Sequence, residues 1–293
     1  VTTATGQGPS IRRRRLRSEL RQRREAAEMT QEQVAEAMDW SLSKLIRIES
    51  GAVGISTNDL KALLNLYGVK DRHQIDAMVE LAKASRQRMW WSAYKDAVSP
   101  QLISYIGYEA EAVVMRQFHF ALMPGLLQTE AYARTVIFDS VPGELTGEAR
   151  RRAERQLEVR MRRGQEVLNR DDPPELYLVL DEAAIRRQVG GPAVMREQLN
   201  YLATLANRPT IELRILPFER GAHPGVNGAF TILEFADPAV GDVLYLDAMA
   251  ESMIKEAPSN LDYYHRVFQK LQQLALDPAD SLALVERVKD ELA

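Results

Sequence analysis

Apolar residues recur at near-helical spacing from the start of the chain's charged region. Leu16, Leu20 and Ala27 sit among Arg21, Arg23 and Arg24, which predicts a first helix entered through the basic run that begins at Arg12. Thr30 followed by Gln33 is a capping-box pattern, so a second helix is expected from Gln31 to Met38. Asp39 and Trp40 break it. Ser41 is placed to cap a third helix from Leu42 to Ser50, and Gly51 supplies the left-handed stop. Two more amphipathic helices follow, about Ser56 to Tyr67 and Asp71 to Met89, with stripes at Leu60, Leu63, Leu64 and at Ile75, Met78, Val79.

The texture changes at Trp90-Trp91-Ser92-Ala93-Tyr94. Beyond it, Leu102 to Ile106 reads as a short strand or extended segment, and Glu109 to Ala121 as a helix or an extended run. Pro124-Gly125 is a turn that sends Leu126 and Leu127 into a core, and Gln128 to Phe138 reads as a short helix. An arginine-rich helix is expected from Thr146 to Arg170, stopped by Pro173-Pro174. Strands are expected at Glu175 to Leu180, Ile211 to Pro217, Ala229 to Phe235 and Val243 to Asp247, with a helix at Val194 to Asn207. Two helices, about Asn260 to Leu276 and Ala279 to Leu292, close the chain.

The fold class that follows is mainly α with a smaller α+β part. A Gly/Thr/Ser-rich, disordered tail is expected over 1–10, a five-helix helix-turn-helix domain over 11–89, a junction over 90–99, and over 100–293 an α+β domain with one small sheet flanked by helices. A length of 293 residues suits two domains.

Charge sharpens this division. Residues 1–51 carry ten Arg/Lys against seven Asp/Glu, whereas 171–293 carry eleven against twenty, although the net charge is only −3. A basic front suits contact with phosphates, and an acidic body adds none. There is no cysteine, which removes disulfides, thiolate metal sites and cysteine nucleophiles. His73, His119, His223 and His265 form no spaced pair, so neither a metal nor a cofactor is expected. No apolar run is long enough to span a bilayer and no signal peptide is evident, which gives a cytoplasmic, nucleoid-associated expectation without membrane contact.

A helix-turn-helix needs a small residue where its helices cross, a turn residue that tolerates positive φ, and apolar anchors. Ala35, Asp39, and the trio Val34, Leu45 and Ile48 fill those slots. The second helix of such a unit enters the major groove, so Ser41, Leu42, Ser43, Lys44 and Arg47 are the candidate DNA-facing residues. Arg47 is the candidate for bidentate reading of guanine, Ser43 for a base or phosphate, Leu42 for a thymine methyl, and Lys44 for the DNA backbone. Gln31, opening the crossing helix, is expected to bond a phosphate.

The stretch Met29-Thr30-Gln31-Glu32-Gln33-Val34-Ala35, together with Ser43-Lys44-Leu45-Ile46-Arg47-Ile48-Glu49-Ser50-Gly51, resembles the phage-repressor (Xre/Cro-like) helix-turn-helix family over about residues 16 to 68. The resemblance implies a structural ion pair between Arg24 and Glu49. Two departures stand out: Asp39 takes the place of a turn glycine and Ile46 that of a common serine. The second puts an apolar group near the DNA side.

Further along, Pro124-Gly125-Leu126-Leu127-Gln128-Thr129-Glu130, Leu180-Asp181-Glu182-Ala183-Ala184 and Ala222-His223-Pro224-Gly225 resemble the C-terminal domain of actinobacterial antitoxin-like (Scr-type) regulators. That resemblance implies a repressor-like protein whose body binds a small protein encoded by an adjacent gene. Double-stranded DNA carrying an inverted repeat and a second copy of the chain are the other expected partners. A small-molecule pocket in the C-terminal domain is the alternative. No catalytic residues are expected: Asp181 and Glu182 on a strand would point to opposite faces, a poor arrangement beside His223. The run Arg150, Arg151, Arg152, Arg155, Arg160, Arg162, Arg163 could touch flanking DNA phosphates, but its interspersed glutamates favour a solvated helix face.

Overall fold

The computed structural model describes residues 8–139, 143, 146–247 and 252–292. The chain divides into two compact units, Val1–Trp90 and Trp91–Ala293.

The first unit holds α1 (Pro9–Ala26), α2 (Gln31–Ala37), α3 (Leu42–Glu49), α4 (Thr57–Leu66) and α5 (Arg72–Ala84). Four of the five start at a side-chain cap: Thr30, Ser41, Ser56 and Asp71 each accept a hydrogen bond from a backbone N–H of the first turn. The capping box is complete. The Thr30 N–H donates to Gln33 Oε1 at 2.8 Å, and the Gln33 N–H donates to Thr30 Oγ1 at 3.3 Å. A single core joins Leu16 and Leu20 to Val34, Leu45, Ile48 and the α4 leucines Leu60, Leu63 and Leu64. Asp39 turns between α2 and α3 at φ 53°, and Gly51 follows α3 at φ 78°. Two boundaries differ from expectation. Positions 9 and 10 already belong to α1, because Pro9 suits a first helical turn, while 1–7 lie outside the described residues. α5 stops at Ala84, because its C-cap Ser85 turns its hydroxyl back to the Ala82 carbonyl.

The second unit contains α6 (Pro100–Glu109), β1 (Val114–His119), α7 (Glu130–Phe138), α8 (Gly147–Leu168), β2 (Glu175–Asp181), α9 (Glu182–Arg186), α10 (Pro192–Ala206), β3 (Ile211–Leu216), β4 (Ala229–Glu234), β5 (Val243–Asp247), β6 (Met253–Lys255), α11 (Pro258–Leu274) and α12 (Pro278–Asp290). The strands form one mixed sheet in the order β3-β2-β1-β4-β5-β6. β1, β2 and β3 run parallel, and β4, β5 and β6 continue antiparallel. On one face Phe118, Val179, Ile232 and Leu244 pack against Val267, Phe268 and Leu271 of α11. Side chains alternate along a strand, so Gln117, Thr231 and Tyr245 face the other way, toward the residues of α6 and α8 with which they line a cavity.

The strand or extended segment expected at Leu102 to Ile106 is helix α6. Ser99 caps it by accepting from the Leu102 N–H, and Pro100 stands at its start, a local signal that outweighs the apolar run. The stretch left open between helix and extended chain is the end of α6 followed by β1. Glu182 is also not on a strand: Asp181 ends β2 and caps α9 by accepting from the Ala183 N–H at 2.8 Å. β6 has no sequence signature beyond three residues.

Candidate nucleic-acid interface

α2 and α3 meet through buried Val34, Ala35, Leu45 and Ile48, which leaves the other side of α3 to solvent. Leu42, Ser43, Ile46 and Arg47 are all exposed there, with Leu42 at 37 % and Ile46 at 43 %. The Arg47 and Ser43 side chains make no hydrogen bond or ion pair among the described residues. Burying an unpaired guanidinium would be costly, but holding one in water is not. Ser41 is partly committed, because its hydroxyl oxygen accepts from the Lys44 N–H at 3.2 Å. Lys44 leans back: its Nζ lies 3.4 Å from Asp59 Oδ2 and 3.8 Å over the Trp40 ring.

Arg24 and Glu49 face each other across the α1–α3 contact. Arg24 Nε donates to Glu49 Oε1 at 2.7 Å and Nη2 to Oε2 at 3.2 Å, while Nη1 donates to the Met29 carbonyl at 2.9 Å. The Glu49 carboxylate is 5 % exposed, and its bond to Arg24 raises the guanidinium pKa above its ordinary value. Burial, reinforced by Glu49, pushes the Tyr67 phenol upward as well.

Gln31 joins this cluster. Its Nε2 donates to Glu49 Oε2 at 2.7 Å. The expected phosphate donor therefore has one amide hydrogen turned inward, and Glu28 and Glu32 line the same recess. A phosphate there meets carboxylates. Spacing located Gln31 correctly at the helix start but gave no hint of the glutamate to which its amide turns.

In the second unit the arginine run of α8 is a solvated face only in part. Arg163 is buried and forms a two-bond pair with the fully buried Glu109, Nε to Oε2 at 2.8 Å and Nη2 to Oε1 at 2.7 Å. Arg152 donates to the Ala97 carbonyl at 3.0 Å, and Arg155 pairs with Asp96. Arg160 donates from Nη1 to Gln128 Oε1 at 2.9 Å. Gly164 lets the helix approach this closely, because a Cβ there would stand 3.1 Å from the Leu126 carbonyl oxygen. Arg150, Arg151 and Arg162 fit the expected face, two of them paired with glutamates one turn on, while Arg152, still exposed, and Arg155, half-buried, bond to residues 93–97. The helix's alternating charges hid which arginines point inward.

The motifs of the second unit acquire physical roles. In the Pro124 to Thr129 stretch, Leu126 and Leu127 are buried, and Gln128 Nε2 donates to the Met123 carbonyl at 2.8 Å. Gln198 of α10 grips both sides, accepting from the Thr129 N–H at 2.8 Å and donating to the Leu127 carbonyl at 2.6 Å. Asp181 also reaches His223, Oδ2 to Nε2 at 3.2 Å, while Glu182 turns to Arg186 and the Phe218 N–H. Gly225 lies flat on Phe118, where a Cβ would overlap the ring.

A cavity of about 280 Å³ sits between the sheet and α6 and α8. Tyr105 and Tyr245, stacked at 4.0 Å, line it together with Gln117, His119, Arg160 and the Arg163–Glu109 pair. Burial holds the His119 imidazole down to about 4 and the Arg160 guanidinium down to about 10. At neutral pH the first is uncharged and the second remains a cation.

Residues 102–287 match the family described as a domain of unknown function (DUF5753). The chain belongs to that family. Residues 15–78 match a helix-turn-helix domain, which makes the first unit the DNA-binding part of a regulator. No curated protein and no solved structure matches the chain. Among the described residues no helix is long and apolar enough to cross a membrane, and no group of three or more metal-ligating side chains occurs.

Proposed function

We propose that the protein is a sequence-specific transcriptional regulator of the Xre/Cro type, which binds an inverted repeat as a homodimer with α3 in the major groove. The observation that carries this reading is the solvent face of α3, where Arg47 and Ser43 stand uncommitted while Leu45 and Ile48 anchor the opposite side. Arg47 reads guanine through two bonds, Ser43 bonds a base or phosphate, and Leu42 and Ile46 touch thymine methyls or sugars. Ser41 and Lys44 approach the DNA backbone, Lys44 after leaving Asp59. Gln31 holds Glu49, and a phosphate reaches its second amide hydrogen from outside the carboxylate-lined recess. The protein acts in the cytoplasm on nucleoid DNA.

Affinity for a selected operator duplex should fall by orders of magnitude between about 50 and 200 mM salt, and protected half-sites should lie one helical turn, about 34 Å, apart. A flat salt response, or protection of a single half-site by a monomer, would contradict the reading.

The body regulates the head. A small protein encoded by an adjacent gene is the partner that the resemblance implies; co-expression with it should change operator affinity, and an unchanged affinity would remove it. The cavity supports a second reading, a small molecule in the same regulatory role. In this reading the body is a binding module and not an enzyme; His223, the histidine beside Asp181, has a side chain only 7 % exposed, with Nε2 3.2 Å from Asp181 Oδ2.

A further inference from the structure

We infer that the cavity of the second unit binds a small organic anion, its acid group paired with Arg160 and a hydrogen-bond donor of the same molecule meeting the Gln117 side-chain carbonyl. This deepens the small-molecule reading above and rests on it only for its regulatory meaning.

The two arginines that α8 sends to this cavity are treated differently. Arg163 is neutralised by Glu109 with both hydrogen bonds made. Arg160 has no carboxylate within 4 Å among the described residues, and its bond goes to the uncharged Gln128. Asp247 lines the same cavity and attracts Arg160 from a distance, but it is exposed and accepts from the Ser252 hydroxyl at 3.1 Å. A largely desolvated cation with one neutral partner is a site for an anion, because an incoming acid group recovers the charge interaction that burial removed. His119 offers no competing charge, since burial keeps it neutral at physiological pH.

Gln117 is the independent observation. It lies on β1, is 2 % exposed, and its Oε1 is buried with no hydrogen-bond partner. Such an acceptor is costly to leave unmet, and a turn of the Gln117 amide within the cavity wall would bring it to an N–H or O–H of a guest. Leu102, Met123, Leu126 and Phe230 complete the lining with apolar surface, which suits a hydrocarbon or aromatic body. A volume of about 280 Å³ limits the guest to a small acid.

The test is calorimetric titration of the full chain with acetate, benzoate, 4-hydroxybenzoate, phenyl phosphate and the uncharged 4-hydroxybenzamide. The acids should bind and the amide should not. 4-Hydroxybenzoate should bind more tightly than benzoate, and comparison with phenyl phosphate tells carboxylate from phosphate recognition. Arg160→Gln should weaken the acids about tenfold or more, Arg160→Lys should retain most of the affinity, and Gln117→Leu should erase only the advantage of the hydroxyl. Because Gln117→Leu keeps benzoate binding, it also reports that the unit is folded. Absence of binding by every acid with Kd below about 10 mM, equal binding of the amide, or unchanged affinity in Arg160→Gln would each overturn the inference. Operator affinity with and without the bound acid is read separately. An acid that binds without changing it leaves the site standing and removes only the ligand-responsive reading.

Discussion

Arg47 on the more apolar helix α3 stands in solvent without a partner, whereas Arg163 on the more polar helix α8 is locked to a buried carboxylate. The difference lies in what each helix packs against. α3 buries Leu45 and Ile48 and leaves its polar side to water, so an arginine there stays available for a nucleic acid. α8 packs on the Gly125–Leu127 turn and reaches the cavity lining, so its inward arginines must find partners inside the unit. Exposure separates a recognition group from a structural one where residue type does not.

The strongest way to break that contrast is Arg163→Met, which strands Glu109 at 0 % exposure. It should destabilise the second unit by about 4 kcal/mol in chemical unfolding, and the double variant Glu109→Gln/Arg163→Met should be milder. A loss below about 1 kcal/mol would return Arg163 to the solvated face. In the first unit, Arg24→Ala should cost about 3 kcal/mol, because Glu49 would keep only the Gln31 amide; its effect on operator affinity should follow the loss of folded protein.

A pH series sharpens the cavity side. His119 stays neutral in the folded chain down to about 4, whereas an unfolded histidine takes up its proton near 6.5. The unfolded state therefore binds more protons through this window, and stability should fall as pH drops from about 6.5 to about 4, by up to about 2 kcal/mol after allowance for partial exposure. His119→Gln should flatten that part of the profile in thermal unfolding; an unaltered slope would assign it to other groups. The smallest effect belongs to Arg150→Ala and Arg151→Ala on the exposed side of α8. Each should change stability by less than about 0.5 kcal/mol and leave operator affinity alone, and a drop in affinity would show that this face does touch DNA phosphates.

The first unit was largely legible because its signals are local. Thr30, Ser41, Ser56 and Asp71 announce helix starts, Asp39 and Gly51 announce turns, and the apolar stripes locate the core. The second unit depends on pairings between residues far apart in the chain. Glu109 and Arg163 lie 54 residues apart, and Asp181 and His223 also meet only through the sheet and its connections. No periodicity could have paired them. The Ser99-Pro100 start of α6 and the Asp181 cap of α9 were readable, but an apolar run and an assumed strand hid them. Of the interface residues, those on α3 follow from helical geometry, whereas the turn of Gln31 toward Glu49 requires the folded contact.

The most direct measurement is selection of operator sequences from randomised duplex DNA by the full chain and by Arg47→Ala, alongside the unfolding midpoint of each. The variant should fold with an unchanged midpoint and lose preference for guanine at one position of each half-site, a discrimination of roughly 1–3 kcal/mol. An unchanged consensus from a folded Arg47→Ala would contradict the assignment of α3 as the reading helix through Arg47.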